Sequence, residues 1–293
     1  MAAESQTKEP RAASVNILKG GFGKSTTAIN LAKELEARNG PVLLVDMDDN
    51  GHTTFNLGHK DKYTGENHMQ NILVDGDDPT DYIVPVSGQL DLLPSHDLLE
   101  EVEDNLKSAM ASSQRLYRNV VDPLLGDHYE YIIVDTPANR GKLNDNALYA
   151  TKNLIIPLRP ESGWESGITQ TTERVIQEAR EYFELDLLAL VPTDLEDRLD
   201  QQTRDRDLLY AINSRDELAP YVPDFARLTE SEWDAVDNKD YDGELPGIRH
   251  RASIDMAHRA QQPLRDYDSD CDQLRCYEEL AEIVEQGGIT RHE

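Results

Sequence analysis

The sequence predicts an α/β fold in which a single doubly wound, mostly parallel sheet is flanked by helices. The first observation is a strand, a glycine-rich loop, a helix and a second strand that follow one another near the start of the chain. The second is a set of later apolar runs that are typical of buried strands. The third is the length of 293 residues with 38% hydrophobic content, which is enough for one domain with a sizeable core.

The first strand is expected at residues 13–18, where ASVNIL is a short apolar run. A helix is expected at residues 25–38, because apolar side chains recur there at helical spacing. The next strand follows Pro41 at residues 42–45. A strand, helix and strand of these lengths form the βαβ element of a parallel sheet.

Three more buried strands are expected at residues 131–134, 154–158 and 187–191. A helix at about 166–183 separates the last two. The final helix, at about 269–286, carries apolar side chains at packing spacing and should cover the sheet.

These elements predict one main domain at residues 13–286, between an N-terminal tail at 1–12 and a C-terminal tail at 287–293. Within the domain, residues 229–247 are acidic, poor in apolar side chains and end in Pro-Gly. That composition indicates a surface insertion or a mobile loop.

The loop between the first strand and the first helix reads LKGGFGKSTT, residues 18–27. Phosphate-binding loops follow G-x-x-x-x-G-K-[ST], in which backbone N–H groups wrap the phosphates, the lysine reaches the outer ones and the hydroxyl binds Mg²⁺. Gly23, Lys24 and Ser25 fill the last three positions, but Leu18 stands at the position of the first glycine. Lys19 adds a second lysine five residues before Lys24.

This loop resembles the deviant Walker A loop of the ParA/MinD family of dimerising ATPases, whose pattern is K-G-G-x-G-K-[ST]. The resemblance implies that Lys24 neutralises the β and γ phosphates of ATP and that Lys19 reaches the nucleotide of a partner subunit. The alternative is a glycine-rich turn that only joins strand to helix, and the flanking elements argue against it. The implied ATP-binding residues are Lys19, Gly20, Gly21, Phe22, Gly23, Lys24, Ser25 and Thr26.

Two carboxylates, Asp46 and Asp48, follow the second strand in the segment LLVDMDDNGHTT. Residues two apart at a strand end point the same way, so both can face the phosphates and Mg²⁺. The segment resembles the family's D-x-D-P-Q-G, with Asp49 in place of proline. The resemblance implies that Asp48 places the attacking water and that Asp46 supports the water shell of the metal. An acidic turn in an acidic protein is the alternative.

Asp135 ends an apolar strand and is followed by Thr136-Pro137. A buried strand that delivers one carboxylate at its carboxyl edge suits a Mg²⁺ contact through water. The segment resembles the Walker B segment of the same family, which implies that Ser25 and Asp135 hold Mg²⁺.

Further along, Pro192, Thr193 and Asp194 follow the strand 187–191 and are assigned to adenine recognition by the same resemblance. A plain turn after the strand is the alternative there.

The net charge of −28 comes from acidic residues spread along the whole chain. Such a surface stays soluble when salt screens its self-repulsion, which is a property of halophiles, so we expect a salt-adapted, haloarchaeal-type protein. Binding of DNA through bulk electrostatics is excluded, and any DNA contact needs a local basic patch.

The densest positive cluster in the sequence lies at residues 249–259. Arginines in this neighbourhood contact DNA without sequence preference in ParA relatives, so the candidate DNA-binding residues are Arg249, Arg251 and Arg259. A salt-bridged helix on an acidic surface is the competing interpretation.

The two cysteines, Cys271 and Cys276, lie in a helix-like segment whose spacing suits neither a disulfide framework nor a zinc site.

Absent features narrow the choice within the family. The chain has neither a run of 18 apolar residues nor a leader, and it lacks the C-terminal amphipathic helix of MinD, so a cytoplasmic protein without membrane contact is expected. The N-terminal extension is too short for a helix-turn-helix domain, and neither cysteine lies where the nitrogenase iron protein holds its cluster.

What remains resembles the small Soj-like ParA proteins. The resemblance implies an ATPase that dimerises on ATP, binds non-specific DNA in the nucleoid, and is reset when a ParB-like or cargo adaptor protein stimulates hydrolysis. A positioning ATPase for a protein assembly, or a nucleotide-switched regulatory protein with little turnover, are the alternatives.

Overall fold

The structure is a computed structural model that describes residues 9–197, 199 and 203–291. Most of the predicted N-terminal tail and the last two residues of the predicted C-terminal tail lie outside this range. Within these residues, seven strands form one sheet in the order β3-β4-β2-β5-β1-β6-β7, and only β3 runs antiparallel to its neighbour. The strands are β1 Arg11–Val15, β2 Val42–Asp46, β3 Val84–Ser87, β4 Leu90–Leu93, β5 Tyr131–Asp135, β6 Asn153–Leu158 and β7 Asp186–Pro192.

Helices connect the strands and cover both faces of the sheet. The α-helices of the described residues are α1 Lys24–Asn39, α2 His52–Asn56, α3 His68–Gln70, α4 Leu99–Ser108, α5 Asp122–Leu124, α6 Lys142–Thr151, α7 Trp164–Thr171, α8 Glu178–Arg180, α9 Thr203–Ser214, α10 Glu230–Asn238, α11 Ala252–Arg259, α12 Leu264–Tyr267 and α13 Leu274–Gln286. Single turns of π-helix occur at Asn71–Asp75, Tyr117–Val121 and Thr172–Gln177. Short 3₁₀ turns occur at Lys60–Lys62, Pro79–Asp81, Ser112–Gln114, Ala219–Tyr221 and Asp224–Ala226.

Alternate residues of the central strands feed two separate cores. In β2, Val42 and Leu44 join the core on one side of the sheet, whereas Leu43 and Val45 join the core on the other. All four side chains are fully buried. Each buried aliphatic side chain contributes about 1.5–3 kcal/mol to folding. Burial on both faces explains why these strands are continuous apolar runs and confirms the predicted fold class.

The first helix is fixed to the C-terminal part of the chain by packing and by ion pairs. Helix α1 packs against α13, and Arg265 of α12 pairs with the buried Glu34 of α1 at 2.6 Å. The predicted final helix begins at Leu274 rather than near residue 269. It covers the sheet as expected, because its apolar positions are buried.

The acidic segment 229–247 is not a continuous loop. Helix α10 begins there with a capping box in which Thr229 and Glu232 bond each other's backbone N–H groups. Val236 of this helix is buried. Of the two alternatives, the mobile loop was therefore wrong for residues 230–238, and the surface insertion stays a prediction.

Candidate functional site

The glycine-rich loop lies at the carboxyl edge of the sheet, between the end of β1 and the start of α1. Gly23 has a φ of +80°, and a Cβ there would lie 3.0 Å from the Thr193 hydroxyl oxygen. A side chain at this position would therefore be strained and crowded. The loop is anchored by Arg159, whose Nη1 donates to the Gly21 carbonyl oxygen at 2.8 Å. Phe22 contributes only its backbone to the loop surface, because its side chain is fully buried.

Lys24 is the first residue of α1 and is only 6% exposed. Its Nζ donates to the Lys19 carbonyl oxygen at 3.3 Å, so the side chain folds back over the loop. Its charge also acts on Asp135, because the Lys24 ammonium and the Ser25 hydroxyl both lower the pKa of that carboxyl. The structure thus brings Lys24, Ser25 and Asp135 together, as the sequence predicted.

Asp135 is fully buried at the end of β5, where the strand register places it beside Val15 of β1 and Asp46 of β2. Its Oδ2 accepts a hydrogen bond from the Thr53 hydroxyl at 2.8 Å. Its Oδ1 is buried and has no hydrogen-bond partner among the described residues. Burial raises the pKa of Asp135 to about 6, against the opposing effects of Lys24 and Ser25.

Both carboxylate oxygens of Asp46 bond neighbouring parts of the chain. Its Oδ2 accepts from the Thr54 backbone N–H at 2.8 Å and from the Thr54 hydroxyl at 2.7 Å, and its Oδ1 accepts from the Asp48 N–H at 3.2 Å. Burial, followed by the nearby Asp135 carboxylate, raises the pKa of Asp46 well above its ordinary value. Asp46 therefore holds the turn after β2 and the start of α2, and its predicted role in the water shell of the metal stays a prediction.

Asp48 lies in that turn and is 4% exposed. Its Oδ1 accepts from the Asn50 backbone N–H at 3.0 Å and from the Asn50 side-chain amide at 2.8 Å. The Asp48 carbonyl oxygen accepts from the Ser95 hydroxyl at 2.6 Å. Asp48 is therefore held by its own loop and by Ser95, two residues after β4, which is a contact that the sequence did not indicate.

Lys19 extends away from the loop toward the segment that precedes α7. Its Nζ donates to the Ser162 carbonyl oxygen at 2.6 Å and lies 5.2 Å from the centre of the Phe22 ring. A Cβ at Gly163, where φ is +86°, would lie 2.5 Å from the same Nζ. Gly163 therefore makes room for the lysine.

Sequence reasoning missed three residues of this site, namely Arg159, Ser162 and Gly163. One signal was available, since Arg159 directly follows the buried strand β6 at the sheet edge that carries Asp135. Polar residues at the carboxyl ends of parallel strands commonly line ligand sites.

A cavity beside the loop brings together residues from distant parts of the sequence. It is lined by Thr26, Thr193, Asp194 and residues 248–251, among others. The hydroxyl oxygens of Thr27 and Thr193 are buried and have no hydrogen-bond partner in the described part of the chain. Pro192 is not a lining residue in the described structure. It ends β7, and its carbonyl oxygen accepts from the Ile248 N–H at 2.9 Å.

Arg249 cannot contact DNA in this structure, because its side chain is 1% exposed. Its Nη1 donates to the Glu196 carbonyl oxygen and lies 4.0 Å from the Asp205 carboxylate. Burial lowers the pKa of Arg249 to about 10. The residue fixes the segment after β7, and its assignment to DNA binding was wrong.

Arg251 is neutralised by two carboxylates, Asp197 at 2.6 Å and Asp272 at 2.7 Å. These contacts raise the pKa of Arg251 and lower that of Asp272. The competing interpretation, a salt-bridged acidic surface, therefore describes Arg251, whereas Arg249 is buried. Arg259 alone of the three candidates is exposed.

The residues at the sheet edge fit a nucleotide-bound Mg²⁺. In the described residues, no group of three or more His, Cys, Asp or Glu side chains could hold a metal by itself. Mg²⁺ commonly binds through one or two carboxylates together with substrate phosphates. The unpaired, buried Oδ1 of Asp135 beside the Ser25 hydroxyl supplies oxygen donors of that kind.

The sequence model of a family described as "AAA domain" matches residues 11–187, which is more than half of the chain. The chain belongs to this family of ParA/MinD-type P-loop ATPases. Relatives include the Sporulation initiation inhibitor protein Soj of Bacillus subtilis, 36% identical over 162 residues that cover 54% of this chain and 63% of Soj. The Maintenance of carboxysome distribution protein A of Synechococcus elongatus is 27% identical over 73% of this chain and 84% of that protein.

The matches span 59% of an uncharacterised Pseudomonas putida relative and 55% of the Myxococcus xanthus Chromosome partitioning protein ParA. The chain thus spans less than two thirds of the length of several curated relatives.

None of the helices in the described residues is long and apolar enough to cross a membrane.

Solved structures of the ParA/MinD type share the fold. Apo McdA from Cyanothece superposes with a TM-score of 0.74 at 22% identity, covering 93% of this chain and 98% of that one. A putative plasmid partition protein of Borrelia burgdorferi bound to AMPPNP gives a TM-score of 0.71 at 23% identity, covering 95% and 100%. A Mycobacterium smegmatis protein described as cobyrinic acid a,c-diamide synthase, with bound ATP analogue and magnesium, gives 0.66 at 26% identity, covering 90% and 98%. Members of this family therefore bind nucleotide and Mg²⁺.

Proposed function

We propose that this protein is a partition or positioning ATPase that binds ATP with Mg²⁺, dimerises in that state and is reset by hydrolysis. The convergence of Lys24, Ser25 and Asp135 at one edge of the sheet is the observation that carries the proposal. A buried ammonium, a hydroxyl and a carboxylate with a free oxygen are the groups that phosphoryl transfer to water requires.

Each of these residues has a separate role in the proposed reaction. Lys24 neutralises the β and γ phosphates, and Ser25 and Asp135 hold the Mg²⁺ that offsets their remaining charge. Asp48 orients the attacking water. Asp46 acts indirectly by holding the turn that carries Asp48, since both of its oxygens bond that turn and the start of α2.

The base of the nucleotide is assigned to the cavity lined by Thr26, Thr193 and Asp194. The buried hydroxyl oxygens of Thr27 and Thr193 are free to bond polar atoms there. Pro192 only closes the end of β7, so its part in the proposed base recognition is indirect. Gly20, Gly21, Phe22 and Gly23 contribute backbone N–H groups to the phosphates.

Lys19 is assigned to the dimer. In the single chain its ammonium donates a hydrogen bond to the Ser162 backbone carbonyl oxygen. A neutral carbonyl is a weaker acceptor for an ammonium than a charged phosphate is. In the proposed dimer, the two loops face each other across bound ATP. The Lys19 ammonium then leaves the Ser162 carbonyl oxygen and bonds the phosphates of the ATP that is bound in the partner subunit. ATP then links the two subunits.

The cargo assignment rests on the relatives. Soj-like and ParA-like partition implies that the ATP-bound dimer binds non-specific DNA, is associated with the nucleoid in the cytoplasm, and meets a ParB-like or adaptor protein that stimulates slow hydrolysis. Positioning of a protein assembly is the second candidate, because the carboxysome distribution relative is matched over 84% of its length.

The proposal is tested by the mass of the protein in solution with ATP, ADP and a non-hydrolysable ATP analogue, in molar KCl, together with phosphate release. We expect a dimer with ATP and the analogue and a monomer with ADP. Release of phosphate should increase when DNA and the adaptor are added. A protein that binds ATP and releases no phosphate under any of these conditions would favour a regulatory binding protein.

A further inference from the structure

The turn that carries Asp48 departs from the D-x-D-P-Q-G pattern at its second residue. We call residues 48–51 the Asp48 turn. Asp49 stands where the pattern has proline. Proline fixes φ at about −65° and so restricts the backbone of a turn, whereas aspartate leaves φ free. Another part of the chain has to hold this turn if Asp48 is to keep one position.

Two side chains from outside the turn bond its first two carbonyl groups. The Ser95 hydroxyl donates to the Asp48 carbonyl oxygen at 2.6 Å. The Tyr63 hydroxyl donates to the next carbonyl oxygen, which is that of Asp49. Ser95 is fully buried and Tyr63 is half-buried. The backbone of the turn is therefore fixed at two successive residues.

The ring of Tyr63 is itself held in place. A Cβ at Gly51, where φ is +61°, would lie 2.6 Å from Cε2 of this ring, so only glycine leaves room for it. The ring also packs edge-on against Phe55 of α2, with 4.7 Å between the ring centres. The Tyr63 hydroxyl therefore approaches the turn from a fixed direction.

Both contacts are tied to the segment that follows β4. The Tyr63 carbonyl oxygen accepts from the Asp97 N–H at 2.9 Å. The Ser95 N–H donates to the Thr54 hydroxyl at 2.8 Å, and that hydroxyl donates to Asp46 at 2.7 Å. Strand β4 pairs with β2 in the sheet. Tyr63 and Ser95 therefore fix the Asp48 turn relative to the sheet.

We propose that Tyr63 is a positioning residue for ATP hydrolysis, and that Tyr63 and Ser95 together restrict the Asp48 turn in place of the proline. This proposal rests on the ATPase function proposed above, in which Asp48 orients the attacking water. The Oδ1 atom of Asp48 is bonded to the turn through Asn50, so a displaced turn carries the carboxylate with it. A displacement of about 1 Å at a reacting group can cost roughly 100-fold in rate.

The first experiment compares kcat and KM for Mg²⁺-ATP in the wild-type chain, Tyr63→Phe and Ser95→Ala. Each substitution removes one hydroxyl and leaves the rest of the side chain in place. We expect kcat to fall about fivefold in each variant, because one hydrogen bond to the turn is lost. KM should stay at the wild-type value, because neither residue belongs to the phosphate loop.

Two further variants are matched controls. Tyr241→Phe removes a hydroxyl that donates to the Glu244 carbonyl oxygen at 2.7 Å, and the Tyr241 ring also packs on a glycine, Gly243. Ser14→Ala removes a hydroxyl that donates to the Asn153 carbonyl oxygen at 3.2 Å from a fully buried serine. Neither hydroxyl bonds the Asp48 turn, so both variants should keep the wild-type kcat.

The second experiment introduces the proline. Position 49 is compatible with it, because Asp49 has no positive φ and its N–H donates no hydrogen bond within the described part of the chain. The double variant Tyr63→Phe/Asp49→Pro should regain most of the lost kcat. Tyr63→Phe/Asp49→Ala should not, because alanine removes the same carboxylate without fixing φ.

A measurement on the ligand-free chain is independent of hydrolysis. The Gly51 N–H donates to the Asp48 carbonyl oxygen at 2.9 Å, within the turn. Amide hydrogen exchange at Asn50 and Gly51 should be faster in Tyr63→Phe than in the wild type, because the turn opens more readily. The exchange should slow again in Tyr63→Phe/Asp49→Pro.

Wild-type kcat and exchange in Tyr63→Phe would overturn the proposal, as would a double variant with proline that recovers no activity. A fall in kcat accompanied by an equal rise in KM would also overturn it, because such a change reports loss of the nucleotide site. A wild type that releases no phosphate would contradict the ATPase function itself. Faster exchange in Tyr63→Phe would then still show that Tyr63 holds the turn.

Discussion

The ammonium of Lys19 donates a hydrogen bond to the carbonyl oxygen of Ser162 at 2.6 Å, beside a glycine that leaves room for it. The Lys19 side chain is thus half-buried against the segment that precedes α7 of its own chain. Lys24, which fills the lysine position of the general phosphate-loop pattern, is buried and folds back over the loop. The two lysines serve different ends of the proposed mechanism, and their variants should behave differently.

The variant Lys24→Ala should lose ATP binding. Removal of a buried ammonium that neutralises two phosphates costs about 3 kcal/mol, which is roughly a 100-fold weaker affinity. Titration calorimetry with ATP and Mg²⁺ measures this, with Lys107→Ala as a control because Lys107 is exposed and far from the loop in sequence. Tight ATP binding by Lys24→Ala would contradict the assignment of the loop.

The variant Asp48→Ala should bind ATP and release phosphate roughly 10²–10⁴-fold more slowly, because the attacking water loses the group that orients it. The dimer should then persist with ATP. Phosphate release and mass in solution give the two readouts, and Asp61→Ala, which removes an exposed carboxylate, is the control. If Asp48→Ala turns over ATP like the wild type, the role of Asp48 is wrong.

The affinity for Mg²⁺-ATP should fall in acid. Burial raises the pKa of Asp135 to about 6, and Mg²⁺ requires the ionised carboxylate. Below about pH 6 the affinity should therefore fall by about tenfold per pH unit, while Asp135→Asn should bind weakly at every pH. Calorimetry between pH 5 and 8 tests this. A flat profile for the wild type would exclude Asp135 as the metal ligand.

The same pKa has a consequence for the ligand-free chain. The folded protein binds a proton at Asp135 more tightly than the unfolded chain does, because the folded pKa lies above the ordinary value of 3.8. Stability from this group is therefore present below pH 3.8 and is lost as the pH rises through 6. The variant Asp135→Asn should melt at a higher temperature than the wild type at pH 7.

Stability should rise with salt. The 57 acidic residues outnumber the 29 basic ones, so repulsion among carboxylates outweighs the ion pairs that salt also weakens. Thermal unfolding followed by circular dichroism should show a higher melting temperature in molar KCl than in dilute buffer. A melting temperature that does not depend on salt would contradict the salt-adapted interpretation.

Burial on both faces made most of the sheet predictable. The strands β2, β5, β6 and β7 are continuous apolar runs, and each was expected within two residues of its bounds. The edge strand β3 and its neighbour β4 were missed because each is four residues long, and β3 contains Pro85. Short edge strands that contain proline lack the sequence pattern on which strand prediction depends.

The phosphate loop was predictable because its residues are consecutive in the sequence. The ion pairs of Arg249 and Arg251 could not be predicted from the sequence, because they form with carboxylates from other parts of the chain. These carboxylates are Asp205, Asp197 and Asp272. A positive cluster in the sequence is a positive surface only if the fold leaves it uncompensated.

The central claim is that ATP joins two copies of this chain through Lys19. The direct test is the mass in solution of the wild type and of Lys19→Ala with ADP and with a non-hydrolysable ATP analogue, in molar KCl. The wild type should be a dimer only with the analogue, and Lys19→Ala should bind the analogue and stay a monomer. A Lys19→Ala variant that dimerises like the wild type would contradict the claim, as would a wild type that stays monomeric with the analogue bound.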